Sequence, residues 1–341
     1  MRFFNVFVVI TALALGVAPR FVFCATPPGE VVQWGDGSAR RGVVGIEKTR
    51  QTERTHGAEL LTNIISVSAG DFHWLALSSS GQVVARGSDY YGQARPPIGS
   101  DYISAISAGG QHSLALQSNG LVVGWGDNRY GQADVPPGLT NVTAIAAGAT
   151  HSLALKADGT VVAWGRYRPL PAGLTNIIAL SITGSGNQER NLALRRDGSV
   201  VAWGTETIYS DGAPPQGLSN IVAVAVGKNH SLALTASGHV VGWGFNGSGQ
   251  AIGVPTEASP YTASGQVMID GKALSNVVAI AAGDGFSLAL EENGTIVAWG
   301  KNRFGLASVP AGLSNAVAIA AGGHFCLAIT TNAAVAERFK R

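Results

Sequence analysis

A block of about 39 residues repeats through this chain, and no other feature restricts its fold as strongly. The core of the block, LAL, falls at Leu75, Leu114, Leu153, Leu192, Leu232 and Leu288 and returns as LAI at Leu327. The steps between copies are 39, 39, 39, 40, 56 and 39 residues. A period near 40 with strand-like content predicts a propeller or a solenoid array.

The third copy, AGATHSLALKADGTVVAWG at Ala147 to Gly165, shows what one unit must be. Three strands are expected, at Val142 to Ala147, His151 to Leu155 and Val161 to Trp164. Asp158-Gly159 supplies a tight hairpin turn that needs positive φ. The connector then passes Pro169 and Pro171, which cannot donate to a ladder and suit an edge or crossing segment.

The middle strand is apolar on both faces, as in a sheet covered by neighbours on both sides. The first strand is built from Ala and Gly, again at Ala279 to Gly283 and Ala318 to Gly322. Small side chains suit strands that converge on an axis, and the Val and Trp of the third strand fill the wider rim. That taper favours blades around an axis. Third strands end at Gly87, Gly126, Gly165, Gly204, Gly244 and Gly300. The seventh is VVQWG, Val31 to Gly35, at the other end of the chain, and the last LAI has no good VVAWG after it. The fold expected is all-β: a seven-bladed β-propeller of ~39-residue repeats, closed by pairing of the N-terminal and C-terminal strands, which hides both edges.

AGxxHSLAL at Ala108 to Leu116, DGxVxxWG at Asp158 to Gly165 and GxNxxGQ at Gly126 to Gln132 recur in phase. This set, from Glu30 to Ile329, resembles the regulator of chromosome condensation repeat family. The Pro-rich connector GQADVPPGLTNV, Gly131 to Val142, looks closer to a bacterial branch that is similar to secreted propeller-type β-lactamase inhibitor proteins. The resemblance implies seven blades and a binding role, with enzyme inhibition as one form of it. It also implies nucleotide exchange on a small GTPase, against which export and near-zero charge both argue.

Residues 1–25 differ from the rest. Arg2 precedes an apolar run, Phe3 to Val17, that is shorter than the roughly 20 residues of a spanning helix. It reads as a secretory signal peptide, with an untidy cleavage region at Phe23, Cys24 and Ala25. The remaining 26–341 are expected to form the propeller, a secreted or periplasmic and cell-surface monomer with no stable membrane span after cleavage. Removing residues 1–25 leaves 21 basic against 21 acidic residues, so no basic stripe marks a nucleic-acid footprint. Cys326 would then stand alone, a small buried hydrophobe rather than a nucleophile.

Two units carry insertions, at about 36–59 and 246–272. Insertions in repeats mark loops on one face. Strand order places the AGxx turns and the loops after each WG together, on what is called here the top face. The short DG turns and the GLxN approaches lie opposite.

Chemistry has few candidates. His73, His112, His151 and His230 occur one per unit, so the structural reading, a bond to the neighbouring turn, outweighs a metal shell. Trp34, Trp125, Trp164, Trp203, Trp243 and Trp299 read as core. Arg86 replaces Trp in the first unit, with Trp74 to fill the space. Carboxylates are scattered, and no GxSxG, HExxH or phosphate-cradling loop occurs. The expectation is a non-enzymatic scaffold without cofactor or metal, binding a protein partner through the top face. Its candidate residues are Asp71, Phe72, Tyr90, Tyr91, Gln111, Arg129, Tyr130, Tyr167, Arg168, Lys228, Phe245, Tyr261, Arg303 and Phe304, rich in the Tyr, Trp and Arg types of interface hot spots. The rival is a glycan-binding or carbohydrate-active propeller using Asp71, Asp284 and His324 at the axial mouth.

Overall fold

The computed structural model describes residues 29–35, 61, 63–97, 102–167, 169–183, 189–204, 212–256 and 263–331. Residues 1–25, read above as a signal peptide, the insertion at 36–59, Arg168 and Tyr261 lie outside these. Every described element is a strand. The first blade-like sheet is β2 (Ile64–Ala69), β3 (His73–Ser78) and β4 (Val83–Gly87), and the N-terminal strand β1 (Glu30–Gly35) precedes it. The second is β5 (Ile103–Ala108), β6 (His112–Gln117) and β7 (Val122–Gly126); the third is β8 (Val142–Ala147), β9 (His151–Lys156) and β10 (Val161–Gly165). The fourth is β11 (Ile177–Ile182), β12 (Arg190–Arg195) and β13 (Val200–Gly204); the fifth begins with β14 (Ile221–Val226), β15 (His230–Thr235) and β16 (Val240–Gly244).

The second insertion contributes structure rather than only a loop. It places β17 (Ala263–Gln266) antiparallel to β16 as a fourth, outer strand, with Val241 opposite Gln266 and Gly244 opposite Ala263. A small hairpin follows, β18 (Met268–Ile269) with β19 (Lys272–Ala273). Val267 and Leu274 are buried in the fifth blade's core. Apolar residues within a polar-looking stretch explain why the insertion packs inward here.

The sixth sheet is β20 (Val277–Ala282), β21 (Phe286–Glu291) and β22 (Ile296–Gly300). The last combines β23 (Ala316–Ala321) and β24 (Phe325–Thr330) with β1, paired so that Trp34 faces Cys326 and Gly35 faces Phe325. The split sheet read from VVQWG is therefore present. Inner strands lie side by side in chain order, β2 with β5, β8, β11, β14, β20 and β23, and β23 lies against β2.

Alternation explains the strands. In β9 the LAL residues are buried on both faces, Leu153 and Leu155 toward one neighbour and Ala154 toward the other. The hairpin after β9 donates Gly159 N to Lys156 O at 2.9 Å, with Gly159 at φ 82°. Asp158 Oδ1 accepts from Thr160 N at 2.9 Å, so this carboxylate serves the turn. Each inner strand also carries a bulge at its second residue, as at Val142/Ala144, which adds twist.

Blades are tied together at both ends. At the top, the residue after the turn glycine donates to a glycine carbonyl of the next blade at several boundaries: Gly110 N to Gly148 O at 2.9 Å, Lys228 N to Gly283 O at 3.3 Å, and Gly323 N to Gly70 O at 3.1 Å. A Cβ on Gly322 would stand 2.6 Å from Gly70 O, so only glycine allows this approach. At the bottom, Val277 N reaches Gly238 O at 3.0 Å and Ala316 N reaches Gly294 O at 3.1 Å.

Candidate functional site

The histidines are structural and work between blades, bonding a side chain on the next blade's strand where a bond to the neighbouring turn was expected. His73 Nε2 lies 2.8 Å from Ser113 Oγ, and His112 Nε2 lies 2.8 Å from Ser152 Oγ. His151 Nε2 reaches Asn191 Oδ1 and His230 Nε2 reaches Ser287 Oγ, both at 2.8 Å. Ser113 donates its single proton to Gln93 O at 3.0 Å, so it must accept from His73 Nε2–H. Ser152 and Ser287 donate likewise to Gln132 O and Gln250 O. Nδ1 of His73, His112 and His230 is then the bare nitrogen, buried without a hydrogen-bond partner. Burial pushes His73 down to about 4 and His230 to about 3, the latter helped by Arg190. For His112 burial acts first, and the neighbouring His73 and His151 add to it, giving about 3. These rings are neutral clasps. Four separate blades hold them, and among the described residues no group of three or more His, Cys, Asp or Glu could hold a metal ion.

Where Phe replaces the histidine its partner changes too, whereas Arg190 still meets a serine. Arg190 donates from Nη2 to Ser231 Oγ at 3.2 Å. Phe286 meets Cys326 in the same core, and Phe325 meets Trp74, which takes the place of the serine. Trp74 is buried opposite Arg86, as the Trp-to-Arg exchange in the first unit suggested. Cys326 is fully buried, with its Sγ 3.4 Å from Leu306 O, and burial pushes its thiol well up.

The AGxx turns and the loops after WG do share one face, because main-chain bonds stitch them. Ser88 N donates to Phe72 O, Asp127 N to Gln111 O, and Phe245 N to Asn229 O, each at 2.8 Å. The GQ glutamine then folds each loop: Gln93 Oε1 accepts from Tyr91 N at 2.8 Å and Gln132 Oε1 from Tyr130 N at 2.9 Å.

On this frame the candidates form two aromatic and cationic groups. In blades one to three, Tyr90 is 85% exposed and stands edge-on to Tyr91, 4.8 Å between centroids. Arg129 lies 4.8 Å over Tyr91, and Arg166 lies 5.4 Å over Tyr130. Arg129 is held by Asp127 through Nε–Oδ1 and Nη2–Oδ2 bonds of 2.9 Å, and by Gln111 Oε1 at 3.2 Å. Burial raises the Asp127 carboxyl, but the Arg129 bonds and charge hold it below its ordinary value. Tyr130 and Tyr167 are also exposed. In blades six, seven and one, Phe72 sits 5.6 Å from His324, and Phe304 sits 6.0 Å from the same ring. Arg303 lies 5.3 Å over Phe304.

Other candidates separate. Asp71 is only 9% exposed and faces the axis. Lys228 pairs with Asp284 at 2.9 Å on the same mouth. Phe245 is half-buried over Gly247 rather than presented. Asp71, Asp284, Lys228 and Thr183 line a shallow axial depression with about 30 Å³ of space. His324 stacks on aromatics instead of joining these acids. Arg166 and His324 matter more than their sequence context suggested. Their signal was position, Arg166 directly after Trp164-Gly165 and His324 beside the final AGG.

The model of the regulator of chromosome condensation (RCC1) repeat matches residues 64–93, 103–132, 142–166, 221–250 and 277–306. Protein pim1 of Schizosaccharomyces pombe is 35% identical over 89 residues, 26% of this chain and 16% of that protein. The chain thus spans under a fifth of the length of this curated relative. The crystal structure of Prp20p from Saccharomyces cerevisiae, described with its binding to Gsp1p and histones, is similar with a TM-score of 0.70 and 20% identity, covering 92% of this chain and 94% of that one. The ectodomain of the Arabidopsis thaliana receptor kinase ACR4 is similar with a TM-score of 0.59 and 21% identity, covering 79% and 91%. At those identities the shared property is the fold.

Proposed function

The chain belongs to the proteins built from RCC1 repeats, and from that premise we propose that it is a closed seven-bladed ring, exported from the cell, that holds a protein partner on its top face. Closure is supported by β1 completing the sheet of β23 and β24, and by β23 lying against β2. Export is supported by the basic start and apolar run of Met1 to Ala25, and by the occurrence of the same fold in a receptor ectodomain. N-terminal sequencing of the extracellular protein is the direct test, with a start near Ala25 expected.

One observation carries the binding reading. Tyr90, Arg129, Tyr130 and Arg166 are exposed, with Tyr91 half-buried among them, yet the row is preorganised by stacking and by the Asp127 pair. Rigid aromatic and guanidinium groups lose little freedom on association. They do no chemistry, and the partner is recognised rather than transformed. Nucleotide exchange rests on the family resemblance alone, so it is not carried over. Where the partner is an enzyme, occlusion of its active site by this face would make the chain an inhibitor.

The experiment compares the exported chain with a triple variant, Tyr90→Ser, Tyr130→Ser and Tyr167→Ser, as baits in extracellular extracts. The expected result is one protein retained by the first and lost from the second. Equal retention by both would remove the top face from the account. An enzyme so captured is then assayed with saturating chain, and unchanged turnover would rule out inhibition.

A further inference from the structure

The first and last blades depart from the repeat at one spot on the top face. The residue before the second strand is Gln111, Thr150, Glu189, Asn229 or Gly285 in the other blades, but Phe72 in the first and His324 in the last. Phe72 keeps 48% of its surface exposed, although nothing in the repeat requires an aromatic there. Its ring lies 5.6 Å from His324 and that of Phe304 lies 6.0 Å from His324, so three blades build one aromatic shelf. Main-chain bonds pin the shelf: Ser88 N to Phe72 O at 2.8 Å, Gly323 N to Gly70 O at 3.1 Å, and Lys301 N to Gly285 O at 2.8 Å.

Among the described residues, the exposed charges of the shelf have one sign. Arg303 lies over Phe304, and Lys301 is exposed in the same loop. Among the described residues neither forms an ion pair, whereas Arg129 in the other group is already held by Asp127 and Gln111. Of the acids in the adjoining AGxx turns, Asp71 is buried against Gly323 and Asp284 is already paired with Lys228 at 2.9 Å. An exposed guanidinium stacked on a ring keeps its N–H edges for a carboxylate.

We propose that this shelf seats an acidic, aromatic segment of the protein partner: an aromatic side chain against Phe72 and His324, with a neighbouring carboxylate on Arg303 and Lys301. The proposal rests on the protein-binding reading above and assigns the place and the chemistry of recognition. Because the shelf takes in the first sheet and the last, which β1 completes, the bound segment crosses the boundary between those two sheets.

The test uses a displayed random-peptide library selected on the full immobilised chain, followed by titration of one enriched synthetic peptide. Enriched peptides are expected to combine an aromatic residue with Asp or Glu. Their affinity should fall at least about tenfold with Phe72→Ser and with Arg303→Glu. It should weaken with added salt, and Tyr102→Ser on the opposite face should leave it unchanged. Circular dichroism and melting confirm that each variant is folded. Peptides lost only with Tyr90, Tyr130 or Tyr167 substitutions would overturn this shelf and leave the top-face reading standing. Peptides insensitive to every top-face substitution would overturn both, and no enrichment over a blank surface would overturn the shelf.

Discussion

His73 Nε2 and Ser113 Oγ, 40 positions apart in the chain, meet at 2.8 Å across the seam between the first two blades. The same clasp recurs at His112 with Ser152 and His230 with Ser287, and each serine passes its own proton to a GQ-loop carbonyl. The loop that leaves one blade is therefore locked onto the next.

His73→Phe should destabilise the chain by about 1–3 kcal/mol, because it leaves Ser113 buried without its donor. Adding Ser113→Cys should recover part of that loss, since Phe286 with Cys326 is such a pair in the protein itself. Urea titration of the two singles and the double gives the coupling. Strict additivity would mean that the seam is not a unit.

The clasp histidines set a pH window. Unfolded histidine titrates near 6.5, while His73, His112 and His230 in the fold are lowered to about 4, 3 and 3. Between those values the unfolded chain binds protons that the folded chain refuses. Their contribution is complete above pH 6.5 and is lost progressively as pH falls, through about 4 for His73 and about 3 for His112 and His230. Urea midpoints at pH 7.5, 6.0 and 5.0 should decline, and His230→Gln should flatten the slope by up to one proton.

Gly322→Ala places a methyl 2.6 Å from Gly70 O, where the last blade is tied to the first. A loss of about 1–3 kcal/mol is expected from overpacking, seen as a lowered denaturation midpoint. Gly305→Ala in a roomy loop has no atom nearby to meet, so any cost there comes only from its φ of 75°.

Trp34 is the anchor of the closing strand, buried with its Nε1 donating to Leu306 O at 3.1 Å. Trp34→Ala should cost about 3–5 kcal/mol. Hydrogen exchange should then show faster exchange first in β24 and β1, before the other blades.

Cys326 should resist alkylation at pH 8 in the native chain, since burial pushes its thiol up. Peptide mapping after brief iodoacetamide treatment should find it unmodified in buffer and modified in urea. Native labelling would contradict its burial.

The repeat, the three strands of each unit, the split last blade and the shared face of AGxx turns and WG loops were all legible from residue order. Those features come from alternation over five or six residues and from turn chemistry such as Asp158-Gly159, which act along the chain. The clasp partners, the outer strand made by Ala263 to Gln266, and the burial of Asp71 were decided in three dimensions. His73 carries no local mark that its partner lies in the next blade rather than its own turn. Asp71 and Phe72 are adjacent in the same turn, yet one faces the axis and the other solvent. Which way each side chain points depends on how the blades are rotated about one another, a relation between distant segments that no short stretch of residues encodes.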